Sequence, residues 1–347
     1  MLRTVSVRPV NDKNPGGLVA HPSEAVLSAA SDIVPLRFTG RAGEYFRIWI
    51  VNICLSIVTL GIYSAWAKVR RKRYFYGNTL LGDSAFEYLA DPKAILKGRI
   101  VVVGGFAIYS LVGKINPIAG LAMALVFLGV LPWLIVRASR FNAVNSAHRN
   151  VRFDFRAGYG EMARLLTLPI FLVPLTLGLL YPYYAYRKRR FFLEHSTFGT
   201  TPFAFDASAG AYYFVYLKAA LMFVLFLAGS AVTLGIGALP FYIWFAAYRD
   251  GAVGRLTWKS TRLGALRFDC RWTTGGLFKL FFLNSLGVIA TAGLLAPWAA
   301  VRTARYQLKR IALQPAGEIG AFIAAAQERV GAIGDEASDL LGFDFGL

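Results

Sequence analysis

Cysteine and histidine are scarce in this chain, with two and three copies among 347 residues. Cys54 sits inside an apolar run and Cys270 in a loop, so neither a disulfide framework nor a Cys-x-x-Cys metal site is available. His21, His148 and His195 stand apart in the tail and in basic loops, none at metal-ligand spacing to another His, Cys or carboxylate. His195, next to Ser196, is expected to hold a loop by a hydrogen bond. No metal and no cofactor is therefore expected. Acidic residues are few as well, 19 against 38 Lys and Arg. No Gly-x-Ser-x-Gly, Walker A or strand-to-helix Gly-x-Gly-x-x-Gly pattern occurs, which removes the commoner hydrolase, nucleotide-driven and dinucleotide chemistries. No residue set looks catalytic, and an enzyme is not expected.

What the chain has in abundance is apolar surface. Hydrophobic residues make up 56%, aromatics 15%, and the mean hydropathy is +0.50, so lipid is the expected solvent. The net charge of +19 is spread between the apolar runs and forms no single basic domain. That layout suits loops facing anionic phospholipid headgroups and argues against a nucleic-acid partner.

Seven stretches approach the roughly 20 apolar residues that a crossing helix needs. They lie at about 46–67, 99–113, 117–137, 165–186, 212–229, 231–248 and 278–301. Before them, residues 1–33 mix Pro, Gly, Ser and scattered charge and are expected to be a disordered tail. After residue 312 an acidic tail, 313–347, follows, and its apolar positions trace one face of a short helix or belong to a plain solvated tail.

Self-comparison organises the membrane domain, 34–312. A shift of 232 positions superposes Gly43, Asn52, Thr59, Gly61, Trp66, Arg70, Arg73 and Tyr74 on Gly275, Asn284, Thr291, Gly293, Trp298, Arg302, Arg305 and Tyr306. A shift of 117 pairs Glu44, Thr59, Gly61, Arg70 and Arg73 with Glu161, Thr176, Gly178, Arg187 and Arg190. Matching residues at a fixed offset mean duplicated units with a shared structure. The fold expected is an all-α polytopic membrane protein of plan A-hairpin-A-hairpin-A. Its A units span about 38–79, 155–197 and 270–310, and its helical hairpins about 98–138 and 212–248. Each A unit is an apolar run, a helix break at Thr59 and Gly61, Thr176 and Gly178, or Thr291 and Gly293, then an aromatic patch and a basic cluster.

A Phe-x-aromatic motif recurs at Phe86–Tyr88, Phe153–Phe155 and Phe203–Phe205, with looser forms at Phe38 and Phe268. Its period-two alternation fits short membrane-adjacent β segments pairing into a small sheet, and equally fits amphipathic loops lying on the bilayer.

The segment Glu44-Tyr45-Phe46, Asn52, Thr59-Leu60-Gly61-Ile62-Tyr63-Ser64-Ala65-Trp66-Ala67-Lys68-Val69-Arg70, Arg73-Tyr74 and Asn78-Thr79 resembles the YjgN family of bacterial inner-membrane proteins. The resemblance extends over most of the chain from about Phe38. It implies an inner-membrane location and a multi-pass architecture, with no catalytic or binding residues to carry over. The later copies depart from the motif, with Pro182-Tyr183 where the first has Ala65-Trp66 and with Thr303-Ala304 inside the third basic cluster.

Two topologies stay open. Basic residues crowd both flanks of every A unit, which under the positive-inside rule makes A re-entrant or interfacial and leaves four true spans in the hairpins. If A crosses, successive units are inverted around interrupted helices, a secondary-transporter layout. Either way the C-terminus is expected in the cytoplasm.

Candidate polar contacts are Asn52 and Asn284 within the apolar runs, and Glu44 and Glu161 at their entrances. An interhelical amide bond or a helix N-terminal charge explains them equally simply. Candidate headgroup contacts are Arg70, Arg73, Arg187, Arg190, Arg302 and Arg305. The function expected is a multi-pass inner-membrane protein of unknown role, an envelope or lipid-interacting scaffold. The alternative is a small-solute transporter or channel.

Overall fold

A computed structural model describes residues 33–314 except Ile236, together with Ala324, Gln327 and Glu328. The expected tails at 1–33 and 313–347 lie almost wholly outside the described residues, as does the expected helix of the acidic tail.

Twenty elements follow one rule of succession, a five-residue strand, two helices and a short strand, repeated five times. The first unit is β1 (Val34–Phe38), α1 (Ala42–Val58), α2 (Ser64–Gly77) and β2 (Thr79–Leu81). The second is β3 (Ser84–Tyr88), α3 (Pro92–Ile115), α4 (Pro117–Val144) and β4 (Ser146–His148). The third is β5 (Val151–Phe155), α5 (Tyr159–Leu175), α6 (Tyr181–Glu194) and β6 (Ser196–Phe198). The fourth is β7 (Thr201–Phe205), α7 (Ala209–Val232), α8 (Ala238–Lys259) and β8 (Thr261–Leu263). The fifth is β9 (Leu266–Cys270), α9 (Thr274–Ala290), α10 (Ala296–Leu308) and β10 (Ile311–Gln314).

The ten strands close into one antiparallel barrel, and this overturns the all-α expectation. Each Phe-x-aromatic motif is the long strand of a unit, and each finds its partner in the three or four residues that follow the same unit's second helix. Strands that short carry no periodic signal of their own. The barrel shuts where β1 meets β10, with Val34 opposite Leu313. Closure leaves no unpaired edge for another chain to extend.

Alternation along the strands sorts the side chains. Five cross-strand pairs make a belt around the lumen: Leu36–Leu81, Phe86–His148, Phe153–Phe198, Phe203–Leu263 and Phe268–Leu313. Arg37, Glu87, Asp154 and Asp269 alternate with them. The units join through two-residue turns at Gly82-Asp83, Arg149-Asn150, Gly199-Thr200 and Gly264-Ala265. Arg149 and Asn150 both take positive φ, 50° and 65°, as a type I′ turn requires.

All five helix pairs leave the barrel from the end opposite these turns. The A units, expected as single apolar runs, are therefore helical hairpins like the other two, with Thr-Leu-Gly or Thr-Ala-Gly as the tip. A fourth copy of that tip, Thr233-Leu234-Gly235, lies between α7 and α8. At about 1.5 Å per residue, α1, α5 and α9 are each about 25 Å long, whereas α3 and α7 reach about 36 Å and α4 about 42 Å. Among the described residues α3, α4 and α7 are long and apolar enough to cross a membrane.

Candidate functional site

The hairpin tips satisfy their own backbone donors. In the first, Leu60 and Gly61 have φ of 49° and 89°, which sends the Leu60 N–H to the Ile57 carbonyl at 3.1 Å and the Gly61 N–H to the Ser56 carbonyl at 2.7 Å. This is a Schellman closure. The Thr59 hydroxyl donates to the Leu55 carbonyl at 2.7 Å and accepts the Tyr63 N–H at 2.9 Å. Ile62, Ser64 and Ala65 donate to Thr59, Gly61 and Ile62 carbonyls, so no N–H from Thr59 to Ala65 is left open. Thr176, Thr233 and Thr291 accept from Leu180, Gly237 and Leu295 in the same way. The side chains on these closed turns are bare: Leu60, Leu177 and Leu234 are 94%, 93% and 92% exposed.

The tip between α3 and α4 differs. Gly113 and Gly120 bring the arms so close that a Cβ on Gly120 would stand 2.7 Å from the Gly113 Cα. Asn116 caps α4 by accepting the Ile118 N–H at 2.9 Å, and Lys114 is exposed beside it. That tip is polar.

At the opposite end of the hairpins an arginine occupies the same place in every unit, six residues before the short strand: Arg73, Arg140, Arg190, Arg255 and Arg305. Three of them reach the carbonyl two residues before the next unit's first helix. Arg73 donates to the Ala90 carbonyl at 3.2 Å, Arg255 to Trp272 at 2.7 Å and Arg305 to Gly40 at 2.7 Å. Arg190 instead holds Glu194 at 2.8 Å, and Arg140 lies 3.5 Å from Asp154. Arg73, Arg140, Arg255 and Arg305 thus join neighbouring units at the rim, while Arg190 bonds within its own helix, and Arg73 and Arg305 are engaged with protein carbonyls where headgroup contacts were expected. Arg70 and Arg187 are exposed, and Arg302 lies over the Trp298 ring at 4.9 Å.

Asn52 and Asn284 do not share a cavity. Asn284 bonds the Thr303 hydroxyl at 3.0 Å, and Arg302 approaches its carbonyl oxygen at 3.4 Å. Asn52, 8% exposed, faces a pocket of about 530 Å³ between α1 and α2 with Ser56, Ser64, Lys68, Arg71 and Arg99, and its Oδ1 has no hydrogen-bond partner. Glu44 meets Tyr74 at 3.4 Å in the first turn of α1. Glu161 accepts the Gly158 N–H at 3.3 Å and pairs with His195 Nε2 at 3.0 Å, closing the base of α5. Between α5 and α6 a groove of about 610 Å³ carries Glu161, Arg164, Arg187, Arg190 and Tyr183, with apolar walls of Leu165 to Leu172.

On the barrel axis the hairpin bases enclose a vestibule of about 1050 Å³ that reaches Arg189, Arg249 and Asp250. Below it, within the belt, is a separate cavity of about 190 Å³. Sequence reasoning missed His148, which it placed in a basic loop; the residue is on β4, 1% exposed, inside the barrel. Burial pushes the His148 ring below the ordinary histidine range. Cys270, expected in a loop, ends β9, and burial pushes its thiol up, which makes it unreactive.

Residues 34–239 and 230–340 match the family described as "Bacterial protein of unknown function (DUF898)". The chain belongs to this family. Inner membrane protein YjgN of Salmonella typhimurium is 32% identical over 146 residues, covering 40% of this chain and 35% of that protein. The proteins of the same name from Escherichia coli O157:H7 and K12 are each 33% identical over 119 residues, covering 34% of this chain and 30% of theirs. The matched part is about a third of the length of these relatives. No solved structure matches. Family membership and the three long apolar helices make this a membrane protein, and its relatives' names point to the inner membrane.

Proposed function

We propose that the protein is a multi-pass, non-enzymatic scaffold of the inner membrane that holds anionic phospholipid headgroups between its hairpins. In this reading the barrel and the C-terminal end of β10 stand in the cytoplasm. The two long hairpins supply four crossings, and the three short ones enter from the same side without crossing. Five units of one plan are the product of duplication.

The observation that carries the proposal is the closed, apolar tip. A turn exposed to hydrocarbon costs several kcal/mol for each backbone group left open, and the first tip leaves no N–H open from Thr59 to Ala65. Pairing supports one-sided entry, since Phe38 and Thr79, on either side of the first hairpin, lie opposite each other in the sheet. Basic side chains at the hairpin bases then meet phosphates, with Arg164, Arg187 and Tyr183 of the α5–α6 groove best placed.

A solute pathway along the axis is the competing reading. The apolar belt in the lumen and the separate surroundings of Asn52 and Asn284 favour the scaffold.

Native mass spectrometry of the full chain extracted from membranes tests the lipid claim. Retained phosphatidylglycerol or cardiolipin is expected, falling at least several-fold in an Arg164→Ala, Arg187→Ala variant and unchanged in Arg70→Ala. Absence of retained anionic lipid in the parent protein would remove the claim.

A further inference from the structure

The α1–α2 and α9–α10 hairpins are copies at a shift of 232 positions, yet they differ along one face. The first carries Ser64, Lys68 and Arg71 where the fifth unit has Ala296, Ala300 and Thr303. In the third unit Lys68 is replaced by Ala185. The hairpin therefore packs without these cations. The exchange also changes the buried amide. Asn284 donates to the Thr303 hydroxyl at 3.0 Å, and Arg71 stands in that threonine's place beside Asn52. Asn52 is 8% exposed and its Oδ1 has no partner.

A third cation comes from the next unit. Arg99 of α3 donates to the hydroxyl of Ser64, the first residue of α2, so its guanidinium is turned toward the tip end of the hairpin. Lys68, Arg71 and Arg99 line the pocket of about 530 Å³ together with Asn52, and no carboxylate lines it. Among the described residues none of the three forms an ion pair. The α5–α6 groove is different, because Glu161 and Glu194 stand there among the arginines.

Charge within a membrane-inserted hairpin is costly unless it is paired. Three cations without a counter-charge call for an anion, and one carrying more than a single charge. One wall of the pocket is apolar, formed by Trp49, Ile53 and Ile57, and Ile57 is 70% exposed on the outer face of the hairpin. A ligand with a phosphate at one end and hydrocarbon at the other fits both surfaces.

We infer that the pocket between α1, α2 and α3 binds a lipid phosphomonoester, with Lys68, Arg71 and Arg99 on its phosphate and its chain along Ile53 and Ile57. A phosphomonoester carries a charge of about −1.5 to −2 at neutral pH and three acceptor oxygens, whereas a phosphodiester carries one charge and two free oxygens. This site rests on the reading of the protein as a membrane scaffold that holds headgroups. It adds a second lipid class at a second place.

Native mass spectrometry of the full chain in detergent, titrated with dioleoyl phosphatidic acid or dioleoyl phosphatidylglycerol, tests the assignment. The parent protein is expected to take up phosphatidic acid at several-fold lower concentration. Lys68→Ala with Arg71→Thr, which copies the fifth unit, should remove that preference at unchanged Tm. Arg99→Gln, a single exchange on another helix, should weaken it several-fold. Arg164→Ala with Arg187→Ala should leave it intact. Glycerol 3-phosphate, the headgroup without its chains, should not displace the lipid at equal concentration. Equal uptake of the two lipids by the parent, a preference that survives both pocket variants, or displacement by glycerol 3-phosphate would overturn the assignment. Equal uptake with phosphatidylglycerol still lost in the Arg164, Arg187 variant would strike this site alone, and no uptake of either lipid would strike the scaffold reading as well.

Discussion

The α1–α2 and α3–α4 hairpins spring from neighbouring strands of one barrel and end differently. The first has arms of 17 and 14 residues and an apolar tip whose amides bond inward. The second has arms of 24 and 28 residues and a tip carrying Lys114 and Asn116. Between these two hairpins arm length and tip chemistry change together. In the proposed topology an arm of about 25 Å stops inside a hydrocarbon core of about 30 Å, which calls for an apolar tip hydrogen-bonded within itself, and an arm of about 36 Å is long enough to deliver its tip to water. The α7–α8 hairpin combines long arms with a Thr-Leu-Gly tip, so arm length does not by itself dictate the turn.

The comparison breaks most readily at the tips. A carboxylate in hydrocarbon costs about 3 kcal/mol, so Leu60→Asp is expected to lower the apparent Tm in nanodiscs markedly, whereas Ile115→Asp stays within about 0.5 kcal/mol. Equal losses at both tips would mean that both sit in the same medium.

At the bases, Arg73→Ala leaves carbonyls of β3 and the following loop without their charged donor and is expected to cost about 2 kcal/mol. Its counterpart in the long hairpin, Arg140→Ala, loses an ion pair with 64% of the arginine side chain exposed and is expected to cost less than about 1 kcal/mol. Chemical denaturation of the two variants in one detergent compares them.

Thr59→Val strands the Tyr63 N–H and is expected to cost about 1.5 kcal/mol in nanodiscs but less in a detergent that admits water to the tip. Asn116→Ala, a lost N-cap of about 1 kcal/mol, should cost the same in both. A Thr59→Val penalty independent of the medium would contradict a tip in lipid.

The smallest effect concerns the strands that follow the two hairpins. His148 is held below its ordinary pKa, so the unfolded chain takes up the proton first and stability falls as the pH drops from the ordinary histidine range through the folded value. His148→Leu gives β4 the residue that β2 has at Leu81 and should flatten that part of a Tm-against-pH curve between pH 8 and 5.

Much of this fold was legible in local patterns. The alternation in Phe86–Tyr88, Phe153–Phe155 and Phe203–Phe205 marked the long strands, and the shift linking Thr59 and Gly61 to Thr291 and Gly293 marked equivalent tips. The barrel was hidden because Thr79–Leu81 or Ser146–His148 is too short to show a period, and because Val34 pairs with Leu313 at the far end of the chain. Hydropathy averaged across the Thr-Leu-Gly turn and merged two helices into one apolar run. The Thr233-Leu234-Gly235 turn repeats the tip pattern in the sequence itself, between the apolar runs at about 212–229 and 231–248. Of the polar candidates, Glu161 is joined to His195, while Asn52 and Asn284 share no pocket. His148 carried no local signal at all; only the strand register shows that it stands where the other units have Leu or Phe.

The most direct test of the central claim is cysteine accessibility in intact cells and inverted vesicles, with single cysteines replacing Arg41, Leu60, Asn78 and Lys114 in a Cys54→Ser, Cys270→Ala background. Labelling of positions 41 and 78 from the cytoplasmic side, labelling of 114 from the periplasmic side and no labelling of 60 from either is the pattern predicted. Labelling of positions 41 and 78 from opposite sides, or ready labelling of 60 by an impermeant reagent, would contradict it.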